Sequence, residues 1–348
     1  MNRKTWLVVL VVAANAHAET INIPFVDCSG NSSNVSAQNI QISAVGDLVF
    51  TPNEKFNSKA LEQASIFFKQ TDMAFANLEG PITDRGVLQK VSRAGHTYAF
   101  RFPVSTAKFL READIDAVNI ANNHIRDYGA QGVQDTIRYG HQQKIMAIGN
   151  KGSIFVKEIK GRRVGLMTFG YHNAQNDMKD FETVVASLQA AKAQTDLLVV
   201  AFHAGAEGAP AAHLTDGVET YLGENRGNPR AFAKLAIENG ADAVIGFGPH
   251  VLRGAECVNG KPVLHSLGNF VSAGGLSIAG ASSLTVIGQV AFGLDGTFLG
   301  ARVIPMTFNV DKTPVFDPTA RSVQMMNILS QTAKNKLKQF NPLYFSPP

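Results

Sequence analysis

One pattern recurs five times along this chain: a short apolar or β-branched run is followed closely by Gly, Asp, Asn, Glu or His. The five runs and their polar residues are 40–45 before Asp47, 73–76 before Glu79, 117–121 before Asn123 and His124, 197–202 before His203, and 243–247 before His250. A weaker sixth instance is 262–266, which precedes Asn269. Stretches with helical spacing lie between the runs, over 105–113, 131–142 and 229–239. This alternation predicts an α/β fold, which we first interpret as an open sheet.

The polar residues share one position in the pattern, because each follows the end of a predicted strand. In open α/β sheets, ligands bind beyond the carboxyl ends of the strands. Carboxylates, Asn carbonyls and neutral imidazoles are the groups that bind divalent ions. The predicted metal ligands are Asp47, Glu79, Asn123, His203 and His250. Each also has an ordinary structural interpretation, as a turn, a helix cap or a core histidine, and only their joint placement favours a site.

Two alternatives remain open for Asp127, which lies three residues after His124. It either orients His124 through a hydrogen bond or opens the helix that follows.

The first 18 residues have the features of a secretory signal. Arg3 and Lys4 precede an apolar run over 6–12, and small residues occupy 16 and 18. The run is shorter than the roughly 20 residues that span a bilayer. We therefore expect an exported protein, periplasmic or extracellular after cleavage. We expect residues 19–39 to form a flexible N-terminal segment, 40–310 the folded domain, and 311–348 a C-terminal tail with one helix near 321–340.

Charge and cysteine content narrow the classes of partner. Lysines and arginines are scattered through a chain of net charge +4, without a basic run, which argues against a nucleic-acid surface. The two cysteines, Cys28 and Cys257, form either one disulfide or two unpaired thiols in an oxidising compartment.

Seven motifs occur in an order that resembles a known family. They are Gly46-Asp47, Asn77-Leu-Glu-Gly-Pro-Ile-Thr83, Ala121-Asn-Asn-His124 with Asp127-Tyr-Gly129, His203-Ala-Gly-Ala-Glu-Gly208, Gly223-Glu-Asn-Arg-Gly227, Gly248-Pro-His-Val-Leu-Arg253 and Ser266-Leu-Gly-Asn-Phe270. Over residues 40–305 the chain resembles the CapA (PGA_cap) poly-γ-glutamate capsule synthesis family, which is related to the calcineurin-like metallophosphatases. The resemblance implies a four-layer αββα sandwich with two mixed β-sheets flanked by helices, and it replaces the open sheet.

The resemblance also implies roles for the predicted site residues. Asp47, Glu79, Asn123, His203 and His250 would bind divalent metal ions (Mn, Mg, Fe or Zn), with Glu79 as the bridge. His124 would protonate the leaving group, and Asp127 joins it in the catalytic set.

Three further residues are predicted to bind substrate: Arg226, Arg253 and Asn269. A guanidinium pairs bidentately with phosphate or carboxylate, although each arginine is equally well explained as an ordinary surface ion pair.

Two positions depart from the family pattern. Members commonly carry histidine directly after the glycine at which this chain has Gly246-Phe247, and phenylalanine cannot bind a metal. His265 lies where the family often has tyrosine, and it is either a replacement nitrogen ligand or a tolerated substitution.

These features predict an exported metal-dependent hydrolase that acts on or handles an anionic polymer such as poly-γ-glutamate, in association with membrane-bound capsule machinery. Two alternatives stay open. One is a non-catalytic polymer-binding or assembly protein with a degraded metal site, and the other is a phosphoesterase on small exported substrates.

Overall fold

The computed structural model of the protein describes residues 23–50, 58–90, 98–172, 174–331 and 340. Its strands are β1 (Phe25–Val26), β2 (Ser32–Ser33), β3 (Ile40–Val49), β4 (Met73–Leu78), β5 (Ala117–Asn119), β6 (Met146–Ile148), β7 (Phe155–Ile159), β8 (Arg162–Gly170), β9 (Leu197–His203), β10 (Thr220–Tyr221), β11 (Glu224–Asn225), β12 (Ala243–Phe247), β13 (Ala255–Val258), β14 (Lys261–Leu264), β15 (Asn269–Ser272), β16 (Thr285–Phe292), β17 (Phe298–Phe308) and β18 (Pro314–Phe316). Its α-helices are α1 (Glu62–Phe68), α2 (Ser105–Glu112), α3 (Gly129–Gln142), α4 (Phe181–Lys192), α5 (Pro229–Glu238) and α6 (Arg321–Gln331). The five predicted strands and the three predicted helices of the domain are all present.

Two mixed β-sheets form the centre of the fold. The larger has ten strands in the order β2-β1-β17-β16-β3-β4-β5-β6, with β15 beside β3 and β18 beside β17. The smaller has six strands in the order β13-β14-β12-β9-β8-β7. Strands β3 to β6 are mutually parallel, as are β8, β9, β12 and β14, and antiparallel strands flank both groups.

Alternating side chains of the central strands enter two different cores. In β9, Val199 and Ala201 face the larger sheet, whereas Val200 and Phe202 pack under α4 and α5. Helices α1, α2 and α3 cover the outer face of the larger sheet in the same way. Strands buried on both faces are apolar throughout, which explains the continuous runs in the sequence. The four-layer αββα architecture is therefore confirmed.

Local capping fixes where two of the outer helices begin. The Asn228 side chain accepts a hydrogen bond from the backbone N–H of Ala231, and Pro229 occupies the first turn of α5. Asp180 caps α4 by accepting from the N–H of Thr183. Both helices then pack on the outer face of the smaller sheet.

The ends of the described chain differ from the sequence-based expectation. Residues 23–39 are not a loose segment, because β1 pairs with β17 and β2 pairs with β1 at the edge of the larger sheet. After residue 310, β18 extends that sheet and α6 buries Met326 and Leu329 in the core between the sheets. Helix α6 is described to Gln331, and both residues 332–339 and the predicted signal at 1–18 lie outside the described residues. Among the described helices, none has the length and apolar character needed to cross a bilayer.

A disulfide joins Cys28 to Cys257, with their Cα atoms 5.8 Å apart. Cys28 follows β1 at the edge of the larger sheet, and Cys257 lies in β13 of the smaller sheet. Of the two alternatives left open by the sequence, the paired one is therefore correct. The bond closes a loop across 229 positions of sequence.

Removing this disulfide is expected to lower the free energy of unfolding by about 2–5 kcal/mol, because the cross-link restricts the unfolded chain. Urea unfolding of the Cys28→Ser/Cys257→Ser protein measures this change. Reduction of the wild type should reproduce the loss and leave the double variant unaffected. An unchanged midpoint in both experiments would show that the bond is energetically neutral.

Candidate metal centre

Four strand ends from the two sheets converge on one buried cluster. Asp47 lies in β3 and Glu79 follows β4 in the larger sheet, whereas His203 ends β9 and His250 follows β12 in the smaller sheet. All four side chains are buried. The cluster therefore lies between the sheets, at the carboxyl ends of their parallel strands, as the sequence predicts.

The position of Asp47 depends on the glycine before it. The register between β3 and β4 shifts between Val45 and Asp47. A side chain at Gly46 would begin 1.8 Å from the carbonyl oxygen of Gly268, so no other residue fits. The backbone N–H of Asp47 donates to that same oxygen over 3.0 Å, which holds the carboxylate at the site.

Three imidazole nitrogens surround one oxygen of Glu79. The distances from Glu79 Oε1 are 3.4 Å to His250 Nε2, 3.8 Å to His203 Nε2 and 4.0 Å to His124 Nε2. Asp47, Glu79 and His250 each offer one ligand atom, and these atoms lie within 4.8 Å of one another. Their spacing brings carboxylate oxygen and imidazole nitrogen together as a divalent ion requires.

The hydrogen bonding of the cluster tests whether an ion fits there. Both carboxylate oxygens of Glu79, Nε2 of His203 and Oδ1 of Asn123 are buried without a hydrogen-bond partner in the described part of the chain. A buried polar atom without a partner costs roughly 1–3 kcal/mol, and more when it is charged. A divalent ion would satisfy the acceptors of Glu79 and His203, so these residues fit a metal. The assignment of Asn123 as a ligand stays a prediction.

The tautomer of His250 also suits metal binding. Its Nδ1 lies 3.0 Å from Oδ1 of Asn269 and 3.0 Å from Oδ2 of Asp47, and both of these atoms are acceptors. The proton of a neutral ring is therefore on Nδ1, and the lone pair of Nε2 points to Glu79. Asn269, which we predicted to bind substrate, holds His250 and also borders the cavity beside it, and its Nδ2 donates to the Ser277 carbonyl.

A buried asparagine that the sequence interpretation missed connects the two sheets. Asn77 Nδ2 donates to Asp47 Oδ1 over 2.8 Å and lies 3.1 Å from His203 Nδ1. Its Oδ1 accepts from the amides of Asn119 and Asn122. Asn77 is two residues before Glu79, on the same face of the strand, and this period of two was the available signal.

Burial and mutual charge shift the pKa values of the cluster. Burial raises the pKa of the Glu79 carboxyl well above its usual range. Burial alone would lower the pKa of His250, but the neighbouring Glu79 and Asp47 outweigh it and raise that pKa to about 10. Burial lowers the pKa of His203 well below its usual value, and the charge of His250 adds to the effect. Without an ion, a proton on His250 therefore balances the carboxylates.

His124 faces the same cluster and is held from behind. Its Nδ1 lies 2.8 Å from Asp127 Oδ2, so of the two alternatives for Asp127 the orienting contact is the one present. Lys90, which the sequence interpretation missed, places its ammonium 2.7 Å from Asp127 Oδ1 and 2.9 Å from His124 Nδ1. Burial lowers the pKa of His124 to about 4. The hydrogen bond to Asp127 opposes this decrease and the charge of Lys90 adds to it, so the imidazole is neutral at pH 7.

The two predicted substrate arginines both contact protein carboxylates. Arg253 is fully buried, and its guanidinium donates to both oxygens of Glu219 over 2.9 and 2.6 Å. Arg226 donates to Glu207 over 2.8 Å and lies against the rings of Tyr171 and Tyr221. Arg253 therefore has a structural role instead of the predicted one, because no face of its guanidinium is open to a ligand.

The Arg253→Met variant is expected to lose about 3–5 kcal/mol of unfolding free energy, because it leaves Glu219 charged and unpaired in the interior. Urea unfolding measures the loss. Arg253→Met/Glu219→Met should recover most of it, since apolar replacement of a whole buried pair is often neutral. A fully stable single variant would contradict the structural assignment.

The structure explains the two positions, 247 and 265, at which the sequence differs from the family pattern. Phe247 is buried in the core between the sheets, where its ring packs edge-on against Phe75. Its side chain is therefore part of the hydrophobic core. Position 248 faces the cluster more directly, because a side chain there would begin 3.2 Å from His203 Nε2, but the residue is glycine. His265 binds Glu256 over 2.8 Å, so its Nε2 supplies no replacement ligand.

Comparison with known proteins identifies the family. The profile of the bacterial capsule synthesis protein PGA_cap matches residues 41–274, which is more than half of the chain. This chain belongs to the PGA_cap family. The match contains every residue of the cluster and ends before the last strands of the larger sheet.

Two relatives of this PGA_cap protein are from Bacillus species. It is 27% identical to the PGA biosynthesis protein CapA of Bacillus subtilis over 258 residues, covering 67% of this chain and 63% of that protein. It is also 27% identical to the capsule biosynthesis protein CapA of Bacillus anthracis, covering 67% and 60%. The chain thus spans less than two thirds of the length of these relatives.

Among solved structures, the chain is similar to a 5'-nucleotidase precursor from Thermus thermophilus. The TM-score is 0.46 at 12% identity, over 84% of this chain and 58% of that one.

Proposed function

We propose that this protein is an exported metal-dependent hydrolase that acts on an anionic polymer such as poly-γ-glutamate. The observation that carries the proposal is the buried cluster of Asp47, Glu79 and His250, in which neither oxygen of Glu79 has a hydrogen-bond partner among the described residues. A bound divalent ion would lower the pKa of a coordinated water and so supply a nucleophile near neutral pH.

The protein's own residues would position the ion and move the proton. Asp47, Glu79, His203 and His250 would hold the ion, with Asn123 as a further oxygen donor. Nε2 of neutral His124 faces Glu79. This nitrogen would accept a proton from the attacking water and then donate it to the leaving atom. Asp127 would keep the ring in this orientation.

The form of the site supports a substrate that enters from one side. A cavity of about 200 Å³ borders the cluster at His124 and His250, and Tyr98, Tyr221 and Leu276 line its outer part. This volume is below the roughly 300–1,000 Å³ of typical ligand pockets, so we propose that the cavity takes one unit of the polymer and leaves the rest outside. The name of the Bacillus subtilis relative, a PGA biosynthesis protein, supports poly-γ-glutamate as the polymer.

Two features support export. The sequence over 1–18 has the charge and apolar pattern of a signal peptide. The disulfide between Cys28 and Cys257 requires an oxidising compartment to persist. Fractionation of the producing cell tests the proposal, and recovery of the protein with the cytoplasm in reduced form would contradict it.

A phosphoesterase acting on small exported molecules is the second candidate, because the cavity is small and the same metal chemistry cleaves phosphoesters. The deciding experiment measures bound metal in the purified protein and then assays poly-γ-glutamate and a panel of phosphodiesters. We expect at least about one ion per chain and turnover of the polymer. Turnover of phosphodiesters alone would favour the second candidate, and a metal-bound protein that cleaves neither class would favour the non-catalytic alternative.

Metal binding is expected to release at least about one proton per ion at pH 7, because His250 must lose its proton before Nε2 can act as a ligand. The pKa of His250 is raised to about 10, so this proton is present at pH 7 in the ion-free protein. The apparent affinity should therefore rise by about tenfold per pH unit between pH 6 and pH 8. Titration calorimetry in buffers of different ionisation enthalpy measures the release, and an affinity independent of pH would contradict the assignment.

A further inference from the structure

The loop after β9 carries a carboxylate that none of the roles above explains. Glu207 Oε2 lies 3.7 Å from His250 Nε2, the same nitrogen that lies 3.4 Å from Glu79 Oε1. The other oxygen of Glu207 accepts from Arg226 Nη1 over 2.8 Å. Glu207 also borders the cavity beside His124 and His250. Its other oxygen, Oε2, thus faces Nε2 of His250, the nitrogen that would bind the ion once His250 is neutral.

Backbone hydrogen bonds hold this loop against the turn that carries His250. Ala204 N–H donates to the Phe247 carbonyl over 3.0 Å, and Gly208 N–H donates to the Pro249 carbonyl over 2.9 Å. Glu207 is therefore fixed on the main chain next to His250 and on its side chain by Arg226. A carboxylate with one oxygen held by an outer partner and the other directed inward is the usual arrangement of a metal ligand.

We propose that Glu207 is a further ligand of the metal ion, binding through Oε2. The inference rests on the proposed metal centre and names a ligand beyond those derived above. Two ligand atoms at about 2.0–2.2 Å from one ion lie roughly 3–3.6 Å apart. The 3.4 Å from His250 to Glu79 falls in this interval and the 3.7 Å to Glu207 is just beyond it, so a rotation of the Glu207 side chain would bring Oε2 towards the ion.

Charge and space on this side of the cluster favour the assignment. Gly248 places no side chain beside His203, so Glu207 is an additional donor that the smaller sheet can supply there. The carboxylates of Asp47, Glu79 and Glu207 carry three negative charges, and the guanidinium of Arg226 carries one positive charge. The net charge is therefore −2 when His250 is neutral. One divalent ion neutralises this charge, as a buried site requires.

The test compares Glu207→Gln with Glu224→Gln. Glu224 is a matched control, because it is the other carboxylate paired with Arg226, at 3.1 Å, and its side chain is 52% exposed. Titration calorimetry with Mn²⁺ should give Glu207→Gln an affinity lower by at least about tenfold, while Glu224→Gln stays within about twofold of the wild type. The visible spectrum of the Co²⁺ protein should change in band position or intensity only in Glu207→Gln, because a ligand is lost.

The outcomes separate this inference from the proposed function. Equal Mn²⁺ affinities for Glu207→Gln and Glu224→Gln, with an unchanged Co²⁺ spectrum, would overturn the role of Glu207 and leave the centre intact. Absence of Mn²⁺ binding to the wild type would overturn both. If thermal unfolding in EDTA shows that Glu207→Gln is not folded, Glu207→Asp takes its place. That shorter carboxylate should also weaken Mn²⁺ binding, and wild-type affinity would overturn the role.

Discussion

Glu79→Gln is expected to lower the affinity for a divalent ion by more than about a hundredfold. Loss of a residue that only hydrogen-bonds a metal ligand lowers metal affinity by about 10- to 100-fold, and loss of a ligand should cost more. Glu79 is central because three imidazole nitrogens surround its Oε1 and, within the described part of the chain, neither of its oxygens has a hydrogen-bond partner. Glutamine keeps the shape and removes the charge, so the domain should stay folded. Turnover of any substrate should fall with the bound ion.

Calorimetric titration with Mn²⁺ and thermal unfolding in EDTA measure the two halves of this prediction. Glu238→Gln is a suitable control, because Glu238 is partly exposed and lies at the end of α5 in an i,i+4 pair with Lys234. Its affinity for Mn²⁺ should equal that of the wild type. Tight Mn²⁺ binding by Glu79→Gln would show that the ion is held elsewhere.

His124→Gln is expected to lower kcat by about 10²–10⁴-fold while the ion still binds, because in the proposed function His124 transfers a proton and does not bind the ion. The contact between His124 and Asp127 orients the ring, and Nε2 remains 4.0 Å from Glu79. Loss of a proton-transfer group lowers the rate of the chemical step without a comparable change in substrate affinity.

Steady-state kinetics and Mn²⁺ titration of the same preparation separate these effects. His141→Gln is the matched control, because His141 is an exposed histidine in the last turn of α3. It should keep both the rate and the affinity. A His124→Gln protein that loses Mn²⁺ would instead make His124 a ligand.

The sequence predicted the location of the site well because the fold repeats one local rule. Asp47, Glu79, His203 and His250 each follow a strand that is apolar throughout, and parallel strands bring such positions to one edge. The four layers could not be derived from these runs, since a strand buried between two sheets and one buried under helices look alike in sequence. The family resemblance supplied that distinction.

The sequence could not predict which residues the charged side chains contact. Arg253 and Glu219 are 34 residues apart, and the pairing that makes Arg253 structural depends on how two loops fold together. Lys90 was overlooked because it does not directly follow a strand. Glu207 lies inside the motif over 203–208, but it was given no role because its contacts with Arg226 and His250 depend on the fold. Asn77 lies inside a predicted motif but was given no role, because its contacts with Asp47 and His203 appear only in the folded structure.

The residues after β8 illustrate a different limit. Strand β8 (Arg162–Gly170) is followed by Tyr171 and His172, which repeats the pattern of an apolar run before polar residues. Two arginines at its start and Thr168 inside it reduce the apolar signal. Tyr171 nevertheless lies beside His203 and under Arg226, close to the cluster.

Crystals of the protein grown with Mn²⁺ provide the most direct test of the metal centre, through the anomalous scattering of manganese. We expect a peak within about 2.0–2.3 Å of Glu79 and His250 Nε2, with Asp47 among the ligands. A peak elsewhere, or none at this cluster when Mn²⁺ is present in excess, would contradict a metal centre formed by these residues.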